Sequence, residues 1–146
     1  MPVITEPFQL LPIYDDQTKT FGWIHQPKVT IMVKAHGQLY PYIIEAFADS
    51  GATRNLFPAD ILTYLHIPVD NGRKKMHHGI GGVNVMSYTH TADILIGGIT
   101  IPTEIDFGLN HKPALLGIDK FFEFFDSVNF NMERSQLELR YSTKKN

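Results

Sequence analysis

The sequence predicts a single, mainly β domain, and three observations carry that expectation. Its apolar segments are short. Nine prolines and eleven glycines punctuate them at frequent intervals. Several pairs of strand-like segments flank a turn-forming stretch, the pattern of strands rather than of long helices. With 146 residues, 43% hydrophobic and 19% charged, the chain has the apolar content for one packed core and the length for one lobe rather than two.

Residues 1–27 are broken up by Pro2, Pro7, Pro12 and Pro27 and read as an extended arm with one strand around residues 8–13. Residues 28–35 read as a strand, His36-Gly37-Gln38 as a hairpin turn, and residues 39–48, rich in Tyr, Ile and Phe, as the return strand. A loop of small and polar residues follows at 49–55. Residues 58–65 read as a short helix with Pro58 in its first turn. Residues 73–88 read as a hairpin turning at Gly79-Ile80-Gly81-Gly82, and residues 93–96 and 99–107 as another pair around Gly97-Gly98. Within 115–125, Phe121, Phe122, Phe124 and Phe125 fall at i, i+1, i+3, i+4, which predicts a short, largely buried helix. Residues 128–132 and 137–141 form a last hairpin around Glu133-Arg134-Ser135-Gln136. The domain is thus expected over 28–141, between an arm (1–27) and a frayed tail (142–146).

Composition removes several classes of function. Thirteen basic and fifteen acidic residues, a net charge of −2, give no electrostatic basis for a nucleic-acid or membrane partner. The absence of cysteine excludes disulfides, zinc-thiolate sites and thiol nucleophiles. No apolar run approaches the roughly 18–20 residues of a membrane span, and no basic start leads into an apolar stretch, so a cytoplasmic location is expected. Arg73-Lys74-Lys75 reads as a solvated strand. His77 and His78 are adjacent and point to opposite sides of a strand, a poor chelate; with His66, His90 and His111 dispersed, no metal and no other cofactor is expected. Asn84 takes the place of the third glycine of a dinucleotide loop, and no Gly-x-Ser-x-Gly elbow occurs.

The sharpest feature is Ala48-Asp49-Ser50-Gly51-Ala52, where an apolar strand ends in a tight loop. Small neighbours display the carboxylate and let another backbone approach. Taken alone, the same residues are equally an ordinary turn held by its own side-chain hydrogen bonds.

Two further segments weigh against the ordinary turn. Asp49-Ser50-Gly51-Ala52 after an apolar strand resembles the signature of aspartic peptidases. Ala114-Leu115-Leu116-Gly117-Ile118-Asp119 resembles their apolar-apolar-Gly element. Lys75 to Val83, with Gly79-Ile80-Gly81-Gly82, resembles the glycine-rich flap of retroviral-type enzymes. The motifs stand in that family's order over roughly residues 28–141, and the family is the retropepsin-like aspartic proteases. The resemblance implies a closed β-barrel lobe with a flap hairpin and one or two short helices, working as a homodimer on an extended polypeptide.

Peptide hydrolysis by carboxylates needs two of them sharing a proton, one as base toward water and one as acid toward the carbonyl. Asp126-Ser127 is followed by valine, so the chain has one Asp-Ser-Gly, and a second copy must supply the other carboxylate. Carried over position by position, Asp49 is the catalytic residue, Ser50 hydrogen-bonds across the dimer axis, and the Gly51 carbonyl meets substrate. Ala52, Gly79, Ile80, Gly81, Gly82 and Leu115 line the substrate, with the Ile80 N–H reaching it through a water. Ala52 lacks the hydroxyl of pepsin-type enzymes, which implies an optimum nearer about pH 5–6 than about pH 2–3.

The chain departs from the retroviral pattern in places. Thr53 and Arg54 stand where acidic residues are usual, and Ile118-Asp119 where arginine follows the glycine. An Arg54–Asp119 pair with exchanged charges is therefore expected, and reversing both charges is expected to restore what either single reversal loses. His78 replaces a flap glycine, and the arm is longer than the family's minimum. Trp23, in that arm, covers an apolar patch or lies at the dimer contact. A peptide-binding module of the same dimeric fold that does not cut is the alternative function. A purely structural dimerisation domain, with Asp49 capping a turn, is the other.

Overall fold

The computed structural model describes residues 2–79 and 81–142. Its strands are β1 (Val3–Pro7), β2 (Gln9–Asp15), β3 (Thr20–Gln26), β4 (Lys28–Ala35), β5 (Gln38–Leu39), β6 (Ile44–Ala48) and β7 (Leu56–Pro58), then, after helix α1 (Asp60–Tyr64), β8 (Arg73–His78), β9 (Asn84–Ile96), β10 (Ile99–Gly108), β11 (Ala114–Leu116), β12 (Ser127–Asn131) and β13 (Gln136–Arg140). Single 3-10 turns occupy Val69–Asn71 and Phe122–Phe124.

Six strands close into a barrel in the order β4-β6-β11-β7-β10-β9, with β9 returning to β4. Strand β4 makes the closure. Its first half pairs with β6 (Lys28↔Phe47 to Ile31↔Ile44) and its second half with β9 (Met32↔Leu95 to Ala35↔Ala92). The alternation of Val29, Ile31, Val33 and Ala35, all buried, with Thr30 and Lys34, both exposed, fixes which face turns inward. Ile94, Ile105, Phe57, Phe107, Leu62 and Leu116 fill the interior, each almost fully buried.

Two parallel pairings set up the site. Strand β11 lies beside β6 (Ala114↔Ala46 to Leu116↔Ala48), and β7 beside β10. Parallel neighbours end at the same edge of the sheet, so the loop after Ala48 and the turn after Leu116 emerge side by side.

The mainly β barrel is as the sequence predicts, but the elements differ in places. The first 27 residues carry three strands rather than one. Strand β1 is an edge of a three-stranded sheet, β1-β13-β12, and β2 and β3 form a ribbon of their own. The partner of β1 lies at the far end of the chain (Val3↔Arg140), a pairing that no local pattern announces. Pro7 and Pro12 fit because they lie on edge strands, which tolerate a missing N–H. The expected return strand divides at Pro41 into β5 and β6. Pro58 ends β7 instead of opening a helix, and α1 starts two residues later. The phenylalanine segment contains β11 and one 3-10 turn rather than an α-helix; Phe121, Phe122 and Phe125 are buried, with Phe121 packed at 5.3–5.4 Å against the other two rings, and Phe124 faces out.

Of the expected tail, 143–146 lie outside the described residues.

Candidate active site

The loop that begins at Asp49 is held by backbone bonds to the turn after β11. The Asp49 N–H donates to Leu116 O at 3.0 Å, Ile118 N–H to Ala52 O at 3.0 Å and Asp119 N–H to Thr53 O at 2.8 Å. Within the loop, Ala52 N–H donates to Asp49 O, and Gly51 N–H donates to Asp49 Oδ1 at 2.9 Å. The carboxylate is half-buried and Ser50 beside it is exposed.

Asn55, almost fully buried, clips the two loops together. Its Oδ1 accepts from Gly117 N–H at 3.1 Å, and its Nδ2 donates to Glu104 O and Lys120 O. Gly117 is what lets the chains come this close. A Cβ there would stand 2.6–2.7 Å from the backbone N, C and O of Arg54, contacts that no side-chain rotation relieves. Gly117→Ala is accordingly expected to lower stability by about 2–3 kcal/mol, through the strain of overpacking; a urea titration reads it, and a midpoint unchanged from wild type contradicts it.

The expected Arg54–Asp119 pair is present, Nη1 to Oδ2 at 3.1 Å, but it is the lesser of Arg54's partners. Arg54 Nε and Nη2 fork onto Asp106 Oδ2 and Oδ1 at 2.8 and 3.0 Å, and Nη2 also reaches Glu104 at 3.3 Å. Asp106 is wholly buried and accepts in addition from Thr89 Oγ1 at 2.6 Å and lies 2.9 Å from His77 Nε2. Burial pushes the Asp106 carboxyl up, but the hydrogen bonds from Arg54 and Thr89 and the charges of Arg54 and His77 outweigh it, so its pKa lies below the ordinary 3.8. Hydrogen bonding to Asp106 is the first cause that raises the Arg54 pKa. These contacts correct the charge-exchange expectation. An acidic residue at 54 would face Asp106 and Glu104, so Arg54→Asp combined with Asp119→Arg is expected to be no more stable than Arg54→Asp alone. A double variant that unfolds with the wild-type midpoint contradicts the network.

Strands β8 and β9 make the expected hairpin, in register from Arg73↔Thr89 to His78↔Asn84. At its end Gly79 N–H donates to Val83 O at 2.7 Å, and Gly81 and Gly82 hold φ of 81° and 78°, the left-handed region that favours glycine. The two adjacent histidines diverge as expected: His77 turns in to Asp106, and His78 lies 2.8 Å from Asn84 Oδ1.

Hairpin and loop face each other across a cavity of about 320 Å³, which Asp49, Gly51, Ala52, Gly79 and Leu115 all line, together with His77, His111 and Val85. Ser50, Gly81 and Gly82 stand outside that lining, and Ile80 lies outside the described residues. His111 is absent from the sequence expectations for this site; its buried Nε2 has no hydrogen-bond partner among the described residues, and burial pushes its pKa below the ordinary 6.5. A larger groove is lined by Tyr40, Phe47, Pro58 and Ile61, and its carboxylates, Glu45 and Asp60, lie on β6 and α1 rather than on a small-residue loop. Among the described residues no cluster of three or more potential metal ligands occurs, and no helix is long and apolar enough to cross a membrane.

No family model matches the chain, and no curated protein does. Solved structures do. A retropepsin-like aspartic protease from Rickettsia conorii superposes with a TM-score of 0.53 at 16% identity, over 97% of this chain and 96% of its own. The retroviral protease-like domain of Ddi1 from Leishmania major gives 0.50 at 11% identity, over 82% and 98%. The EIAV protease complexed with an inhibitor gives 0.49 at 20% identity, over 67% and 86%. The fold of this chain is the retropepsin-like fold.

Proposed function

We propose that this chain, a single lobe of retropepsin-like fold, is an aspartic endopeptidase whose active site forms between two copies. The observation that carries the proposal is the display of Asp49. Its carboxylate sits half-buried on a loop of small residues, accepts from Gly51 N–H, and lines a cavity beneath the β8–β9 hairpin. No lysine or arginine neutralises it among the ion pairs of the described residues. A carboxylate built to cap a turn needs no hairpin folded over it.

With one Asp-Ser-Gly per chain, the second carboxylate is the partner copy's Asp49, related by a two-fold axis. Like charges about 3 Å apart cannot both ionise, so the pair holds one proton. The ionised member takes a proton from water as the water attacks the peptide carbonyl, and the protonated member donates to the carbonyl oxygen. Collapse of the tetrahedral species breaks the C–N bond as the amine gains a proton. Ser50, exposed beside Asp49, joins the two loops across the axis, and the Gly51 carbonyl takes a substrate N–H. The β8–β9 hairpin acts as the flap over an extended peptide, with Gly79, Gly81 and Gly82 at its tip and Ala52 and Leu115 on the floor.

A mixed peptide library incubated with the protein tests this reading. Cleavage blocked by a statine-type peptide mimic of the tetrahedral species is expected. Peptide binding without cleavage over the range pH 3–7, set by the carboxylate pair, overturns the peptidase and leaves the binding module.

A further inference from the structure

We infer that the β2–β3 ribbon is a dimerisation arm that lies against a second copy of this chain. The inference rests on the paired-carboxylate reading for the place of the two-fold axis, and on the ribbon itself for the rest.

The ribbon pairs Gln9↔Gln26 through Asp15↔Thr20 and, among the described residues, joins no other sheet. An isolated two-stranded ribbon is marginal in water. This one is also apolar on both faces. Strand alternation and register put Leu10, Tyr14, Phe21 and Trp23 on one side and Leu11 and Ile24 on the other, all exposed, with Phe21 at 76% and Trp23 at 64%. Single exposed apolar residues are ordinary, whereas a contiguous apolar ribbon is the mark of a contact surface.

The ribbon's root points to the occupant. At one end Phe8, buried, donates its N–H to Ser135 O at 2.8 Å; at the other, Pro27 O accepts from Ala48 N–H at 2.8 Å. The second anchor is one residue from Asp49, so a copy that brings its Asp49 to this one meets the ribbon as it leaves the barrel. The face that carries Leu10, Tyr14, Phe21 and Trp23 exposes roughly 500 Å² of these side chains, a large part of the ~800 Å² that each partner contributes to a standard interface. Two-fold symmetry gives each copy the other's arm, doubling that area into the range of a stable dimer. The tip favours protein over an anionic membrane: it carries Asp15 and Asp16 against Lys19, and Asp15 Oδ1 accepts from the N–H groups of Gln17 and Thr18.

Trp23, the only tryptophan, reports on the arm directly. Wild type is diluted through its association range while sedimentation gives the mass and fluorescence gives the Trp23 emission, alongside Phe21→Ser combined with Leu11→Ser. The expected result is a dimer whose formation shifts Trp23 emission to the blue, and a variant with wild-type circular dichroism whose dimer dissociates at about 30-fold higher concentration or more. A protein monomeric at every concentration, a dimer that forms without the emission shift, or a variant that associates like wild type overturns the arm. So does an emission shift produced by anionic vesicles and not by self-association. A shifting dimer that cleaves no peptide overturns the peptidase and leaves the arm standing; a cleaving dimer with unchanged association in the variant does the reverse.

Discussion

Asp49→Asn is expected to reduce peptide hydrolysis by at least about 10³-fold, the range that general acid–base catalysis supplies, while the fold persists. The substitution keeps the side chain's shape and one carbonyl oxygen. That oxygen can still accept from Gly51 N–H, the one hydrogen bond that Asp49 Oδ1 makes among the described residues, and the loop stays pinned through backbone bonds to Leu116, Ile118 and Asp119. What disappears is the ionisable pair. A neutral amide cannot take a proton from water, and two amides cannot share one. Two amides can hydrogen-bond across the axis where the carboxylates shared a proton, so the variant is expected to associate about as well as wild type. The readouts are initial rates on a cleavable peptide and the thermal midpoint. A variant that retains a tenth of the wild-type rate removes Asp49 from the chemistry.

Arg54→Leu is expected to cost about 3–5 kcal/mol, because it strands a buried charge rather than removing a pair. Asp106 is wholly buried and receives two of its hydrogen bonds from Arg54. Without them Thr89 and His77 remain. For a chain of 146 residues the loss corresponds to roughly 10–15 °C in midpoint.

The pH dependence separates stranded charge from lost packing. In wild type the Asp106 carboxyl titrates below its unfolded value of 3.8, so its contribution is complete above that value and lost as pH falls through the lower native one. In Arg54→Leu burial is no longer outweighed, the native value rises above the unfolded one, and the contribution is present below it and lost as pH rises. The stability gap between the two proteins is therefore expected to narrow as pH falls from 7 toward about 4. Urea midpoints at both values read it. A gap that is constant with pH assigns the loss to packing and contradicts the charge account.

Much of this architecture was legible in the residues, and what was hidden was hidden for physical reasons. Strands β4, β10 and β13 follow from short apolar or alternating segments between turn residues, and the Gly97-Gly98 and Gly81-Gly82 turns lie where glycine punctuation puts them. The proximity of Asp49 to Gly117 follows from motif resemblance, and Gly117 explains it: the motif needs glycine because the Arg54 backbone occupies the space of a side chain. The N-terminal strands were obscured because the partner of β1 is β13, at the other end of the chain, and because Pro7 and Pro12 masked edge strands that tolerate them. Asp106 was invisible for a different reason. It shares with Thr100, Pro102 and Glu104 the polar face of β10, which reads as the solvent side. The Arg54 guanidinium covers that face only at its last residues.

On the proposed reading, one chain is half an active site. The single Asp-Ser-Gly of the chain then makes activity a property of pairs. The most direct measurement mixes wild type with Asp49→Asn at fixed total concentration, after exchange of subunits, and follows the rate against the wild-type fraction. If both copies must contribute Asp49, the rate follows the square of that fraction, and an equal mixture retains about a quarter of the wild-type rate. A linear dependence, with about half the rate retained in the equal mixture, makes each chain self-sufficient and contradicts the shared carboxylate pair.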